Sequence, residues 1–183
     1  MSAAAEDGLR RLHRELLEHG PLLADALHEP AADIGGRPAR LTAAGPRVDG
    51  RRGEYELLVD MIYEGYRLHY QQAGALVRPD DPDLALLLGD QLYALGLSRL
   101  ARLGDLEAVQ ELADVISLAA QAQAAGNGDL AEAVWEAGAV AVGWGAAEPL
   151  RRAKALARAG APGAADALRS AARQARGDPP AGA

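Results

Sequence analysis

PDLALLLGDQLYALGLSRLARLGDLEAVQELADVISLAAQAQAA, residues 82–125, decides the fold class. Asp80-Asp81-Pro82-Asp83 introduces the stretch with an N-cap carboxylate, a proline suited to the first helical position and an acid at the positive end of the helix dipole. Leu84, Leu86, Leu87, Leu88, Leu92, Leu95, Leu97, Leu100 and Leu103 leave only a narrow polar side, so a central, largely buried helix is expected from Pro82 to Leu103. Gly104-Asp105 ends it and caps the next helix. There the expected apolar face is Leu106, Val109, Leu112, Ala113, Ile116, Ala119 and Ala120, against a polar face of Glu107, Gln110, Glu111, Asp114 and Gln121.

The flanks read the same way. Residues 5–28 place Leu9, Leu12, Leu16, Leu23 and Leu27 at helical spacing, with Pro21 after Gly20 splitting or kinking the helix. From Glu29 to Gly53, prolines and glycines punctuate a stretch that holds five arginines, which is loop chemistry. Helix resumes from about Glu54 to about Leu76. After the turn Gly126-Asn127-Gly128, Asp129 and Glu132 form a capping-box-like start to a helix reaching Ala147. Pro149 and Pro162 each stand where a first-turn proline opens a short helix. The expected fold is all-α, a helical bundle of six to eight helices without strands. It forms a single domain over residues 1–176, with an irregular Gly/Pro/Arg-rich segment at 29–53 and a flexible tail at 177–183.

Composition excludes several chemistries. With 49% hydrophobic residues in 183, a real core is available, and the 4% aromatic share without Phe favours small-residue helix packing over a sheet. The absence of cysteine removes disulfides, thiolate nucleophiles and every Cys-ligated metal site. Charge is unevenly placed: residues 53–148 hold sixteen acids against four bases, and residues 149–183 hold seven bases against two acids. No dominant basic face with stacking aromatics emerges, so nucleic acid is not an expected partner. The longest apolar run, Ala137–Ala147, is too short to span a bilayer, and no apolar segment follows Met1–Asp7 as a secretory signal requires. A cytoplasmic location without a transmembrane segment is expected.

Candidate chemistry is sparse. No two of His13, His19, His28 and His69 stand one helical turn apart, so histidine metal binding is not expected. The cluster Asp80, Asp81 and Asp83 reads as capping rather than cation binding. Ser2, Ser98, Ser117 and Ser170 lack the partners of a nucleophile. In the helix from Asp129, Ala133, Ala137, Ala141 and Gly145 form one small-residue row and Ala139, Gly143 and Ala147 another. They predict close helix contact, chiefly internal, with Trp135 and Trp144 as core anchors.

The segment from Leu84 to Val109, continued to Ala125, resembles the trans-isoprenyl diphosphate synthases. That family has an apolar run, Gly-Asp, a Leu/Ala-rich helix, and Gly-Asp-x-Glu-Ala opening the next helix. Gly89-Asp90 and Gly104-Asp105-Leu106-Glu107-Ala108 match it, and Trp135–Ala147 is similar to the family's Ala/Gly-rich helix. The likeness covers about forty residues well. The family's first aspartate-rich motif would fall at Leu68-His69-Tyr70-Gln71-Gln72, where the acids are missing, and residues 149–183 hold only Asp166 and Asp178 for the second. Prenyl transfer needs Mg²⁺ held by carboxylates against the diphosphate, which Tyr and Gln do not supply. Gly35-Gly36-Arg37-Pro38-Ala39-Arg40 is similar to the family's diphosphate-binding motif, making Gly35, Gly36, Arg37 and Arg40 candidate diphosphate ligands. A solvated arginine loop accounts for the same residues.

A shortened chain that keeps the helices and lacks the acids resembles the small subunit, component 1, of heterodimeric heptaprenyl diphosphate synthases. The resemblance implies the isoprenoid-synthase type of bundle, truncated at its C-terminal side, and no catalytic or metal residue in this chain. It also implies a catalytic large subunit as partner, holding the Mg²⁺, with a homodimer possible for the isolated chain, and a role in menaquinone side-chain synthesis. Asp90, Tyr93, Leu97 and Leu100 become candidates for the partner interface or the product tunnel, with the intrachain core as the other reading. A helical scaffold or regulatory protein-binding module is the alternative. A standalone synthase or terpene-cyclising enzyme would need a carboxylate site built from Asp60, Glu64 or Asp80–Asp83.

Overall fold

The computed structural model describes residues 3–29, 36–70 and 74–178. They are all-α as expected, but with nine helices among the described residues where six to eight were expected, one of them, α3, in the stretch read as irregular: α1 (Ala3–Leu17), α2 (Pro21–Asp25), α3 (Arg37–Ala43), α4 (Arg52–Tyr70), α5 (Pro82–Arg102), α6 (Leu106–Ala124), α7 (Gly128–Trp144), α8 (Glu148–Arg158) and α9 (Ala164–Arg176). A single 3₁₀ turn, Pro46–Val48, follows α3. Among the described residues the only extended pairing is one bridge, Leu27 to Val77. The chain divides into two compact units, residues 1–40 with 53–104, and residues 41–52 with 105–183.

In the first unit, Leu12, Leu16, Leu23, Met61, Leu76, Leu88 and Leu92 close a core between α1, α2, α4 and α5. The break between α1 and α2 falls at Gly20-Pro21, where Gly20 takes φ +109° and Pro21 occupies the first helical turn. Helix α4 stops earlier than its apolar pattern suggests. Residues 75–77 give their N–H groups to a side chain of α4 instead of continuing the helix, and His28 and Arg78 complete the pairing by donating to Leu76 O at 2.8 Å and Ala26 O at 2.9 Å. Asp81 caps α5 as expected, accepting from the N–H groups of Asp83 and Leu84. That helix is not buried all round, however. Leu86 and Leu87 are 45% and 57% exposed, because only Ala85, Leu88, Gly89, Leu92, Gly96 and Leu100 face the core.

Within the stretch expected to be loop, residues 37–43 form α3. Gly36 O accepts the N–H groups of Ala39 and Arg40, Pro38 occupies the first turn, and Ala39 and Thr42 are buried. Residues 30–35 lie outside the described residues.

The second unit is built around α7, which packs against α6, α8, α9 and the 3₁₀ turn. Its N-cap is Asn127, whose Oδ1 accepts from Leu130 N at 3.0 Å, so the helix begins just before the Asp129 start that the capping-box pattern suggested. It ends at Trp144, short of Ala147, because Gly145 turns the chain at φ +99°. The small residues serve internal packing: Ala133, Ala137, Ala139, Ala141 and Gly143 are buried, as is Trp135. At Gly138 a Cβ would lie 2.0 Å from Val115 Cγ2, and at Gly45 one would lie 2.1 Å from Gly143 O, so glycine sets both approaches. The buried face of α6 is Ala108, Leu112, Val115, Leu118, Ala119 and Ala122, rotated from the expected one, and Leu106 is 71% exposed. The rotation has a cause. Glu111 and Asp114 turn towards α8, where they pair with Lys154 and Arg158. Pro149 sits in the first turn of α8, whereas Pro162 precedes the cap of α9, which is Gly163 at φ +75°. Of the expected tail, Gly177 caps α9 at φ +77°, and residues 179–183 lie outside the described residues.

Candidate functional site on the α4–α5 face

Helices α4 and α5 approach closely because each presents glycine to the other. A Cβ on Gly65 would lie 2.8 Å from Gly89 O, and one on Gly89 would lie 2.8 Å from the His69 ring. Gly96 faces Ile62 in the same way one step further along α5. The glycine of the Gly89-Asp90 pair is therefore a packing residue. It lets the His69 imidazole lie flat on Tyr93, with ring centroids 5.2 Å apart and planes 6° apart. Asp90, on the exposed side of α5, brings Oδ1 to 3.2 Å from His69 Nε2.

Around this pair the phenols continue. Tyr70 lies beside His69 at 5.8 Å, Tyr66 beside Tyr70 at 5.2 Å, and Tyr63 stacks on Tyr66 at 5.6 Å. The Arg67 guanidinium covers Tyr63 at 5.2 Å, within cation–π range. Burial raises the Tyr93 phenol above its ordinary range, and the nearby Tyr70, Tyr66 and Asp90 raise it further. The cluster thus offers aromatic faces, phenols, one imidazole and a single carboxylate. Mg²⁺ prefers carboxylate oxygens, and among the described residues no group of three His, Cys, Asp or Glu side chains is placed to hold a metal ion. The residues at this place do not fit a resident Mg²⁺.

Asp90 and Tyr93 are brought together with His69, which sequence spacing had linked only through the family likeness. Leu97, further along α5, is half-buried. Leu100 is fully buried and belongs to the core, so it presents no surface to a partner. The other candidate set lies at the start of α3. Gly35 lies outside the described residues, Arg37 and Arg40 are exposed on α3, and the Gly36 N–H is already engaged by Asp60 Oδ1 at 3.1 Å. An amide donating to an internal carboxyl is not free for a diphosphate.

The carboxylates considered for a standalone synthase have internal duties. Glu64 Oε1 accepts from Leu76 N at 2.6 Å and Val77 N at 2.8 Å, and Oε2 accepts from Ala75 N at 2.8 Å. Asp60 holds Gly36, and Asp81 caps α5. What sequence reasoning missed is that Asp60 and Glu64 are buried parts of the framework. Their signal was present: both lie among the apolar positions of α4, flanked by Leu57, Met61 and Leu68, which are buried too. It also missed Lys154, which is 3% exposed and bonded to Glu111, with Asp114 at 3.6 Å, beside a cleft of about 520 Å³ between α6 and α8.

No protein-family model, curated protein or solved structure matches the chain. No helix among the described residues is long and apolar enough to cross a membrane.

Proposed function

We propose that this chain is the non-catalytic small subunit of a heterodimeric polyprenyl diphosphate synthase of the heptaprenyl type, acting in the cytoplasm in menaquinone side-chain synthesis. One observation carries the reading. Where the likeness to the trans-isoprenyl synthases puts a magnesium-binding aspartate motif, this chain has His69-Tyr70 packed against Tyr93, with Asp90 as the one carboxylate beside them. Such a surface suits packing or partner contact better than ionisation of an allylic diphosphate, which needs metal-held charge neutralisation. The large subunit would hold Mg²⁺ and perform prenyl transfer. In this chain, Asp90, Tyr93 and Leu97 are the residues proposed to contribute to the interface or tunnel.

The alternative, a helical protein-binding module without a prenyl-transfer role, is favoured by the exposed Leu86 and Leu87 on α5, whose apolar surface invites cover by any partner. Co-expression with a full-length polyprenyl synthase from the same genome separates the two. The subunit reading expects a stoichiometric complex whose Mg²⁺-dependent chain elongation disappears when this chain is omitted. Absence of association overturns it. Turnover of an allylic diphosphate by the isolated chain contradicts both readings.

A further inference from the structure

Helix α4 carries three acids one turn apart, Glu56, Asp60 and Glu64, of which the last two are 6% and 3% exposed. Their surroundings differ. Among the described residues, Glu64 collects three backbone N–H groups, whereas Asp60 accepts one, from Gly36. The charged groups facing Asp60 among the described residues are Glu56 and Glu64 on its own helix and Arg40 on α3. Loss of solvent and two like charges disfavour an ionised carboxyl there, and one amide with an exposed guanidinium does not offset them. Burial first, and Glu56 next, push Asp60 up to about 8.

The start of α3 rests on that carboxyl. A Cβ on Gly36 would lie 2.6 Å from Asp60 Oδ1 and 3.2 Å from the Tyr63 ring, so any side chain there displaces the carboxyl. Gly36 O in turn accepts from Ala39 N at 3.1 Å and Arg40 N at 3.3 Å, which ties the first turn of α3 to this seat. We propose that Asp60 and Gly36 form a proton-operated latch. With Asp60 neutral, the first turn of α3 is seated on α4; loss of the proton lets that turn open to water and frees Arg37 and Arg40 to move with it. Once opened, the carboxyl is solvated and returns to its ordinary range near 3.8. The opening constant therefore rises about tenfold per pH unit from about pH 4, and levels off above about pH 8. The latch stands whether or not the chain is a synthase subunit.

Amide hydrogen exchange of the full chain from pH 5 to pH 9, corrected for intrinsic rates, tests it at Gly36, Ala39 and Arg40. Expected is a protection factor that falls about tenfold per pH unit, flattens above about pH 8 and does not respond to low urea, as a local opening requires. In Asp60→Asn, an isostere of the neutral acid, the slope disappears. In Glu56→Gln, which removes one repelling charge, the slope ends at lower pH. A wild-type profile without slope overturns the latch, as does the same slope in Asp60→Asn. Exchange at these amides with the urea dependence of Ile62 in α4 also overturns it, because the opening is then global. If Asp60→Asn does not fold, an unchanged upper end in Glu56→Gln decides against it.

Discussion

Glu64 shows how much one buried side chain can organise. Its two oxygens accept the N–H groups of three consecutive residues, Ala75, Leu76 and Val77, which would otherwise be buried donors without partners. Glutamine at this position offers one acceptor and turns an NH₂ group towards at least one of those amides. Glu64→Gln is expected to lower stability by about 2–3 kcal/mol, read from urea unfolding. Gly74 shares the constraint, since a Cβ there would lie 2.1 Å from Glu64 Oε1. The contribution of Asp60 depends on pH. Its folded-state pKa is raised from 3.8 to about 8, so its stabilising effect is complete below about pH 4 and is lost as the pH rises towards 8. Urea midpoints at pH 5 and pH 8 should therefore differ more in the wild type than in Asp60→Asn. Equal differences would mean that burial does not perturb this carboxyl.

At the scale of elements, the caps of α5 and α6 were legible and the facing of those helices was not. Asp81 and Asp105 cap α5 and α6 where local chemistry put them, because a cap depends on residues two or three positions away. Which side of a helix is buried depends on what lies across from it. For α6 the leucine and alanine pattern misled by a partial rotation, since Glu111 and Asp114 are turned to the cations of α8. For α5, leucine on nearly every side concealed that glycines, Gly89 and Gly96, mark the contact with α4. The candidate site followed the same rule. That residues 68–72 hold no acid could be read directly, while the stacking of His69 on Tyr93 needed the helix crossing. Glycine contacts of this kind predict strong coupling between α6 and α7. Gly138→Ala pushes a methyl into Val115 and should cost about 1–3 kcal/mol by overpacking. Adding Val115→Ala makes room, so the double variant should be more stable than the two single losses sum to, with a coupling of about 1 kcal/mol or more in a urea double-mutant cycle. Simple additivity would mean that α6 and α7 yield by moving apart.

The molecule as a whole carries its own reporters of its division. All five tyrosines, Tyr55, Tyr63, Tyr66, Tyr70 and Tyr93, belong to the first unit, and both tryptophans, Trp135 and Trp144, belong to the second. Each unit has a core of its own, leucine-rich between α1, α2, α4 and α5 in one case and alanine-rich around α7 in the other. Cooperative units of this kind open at their own free energies, so a substitution weakens first the unit that contains it. Glu64→Gln should move the urea midpoint read from tyrosine absorbance further than the midpoint read from tryptophan fluorescence. Gly138→Ala should do the reverse. Coincident midpoints for both probes in both variants would mean that the two cores melt as one, and that the division is geometric without being energetic.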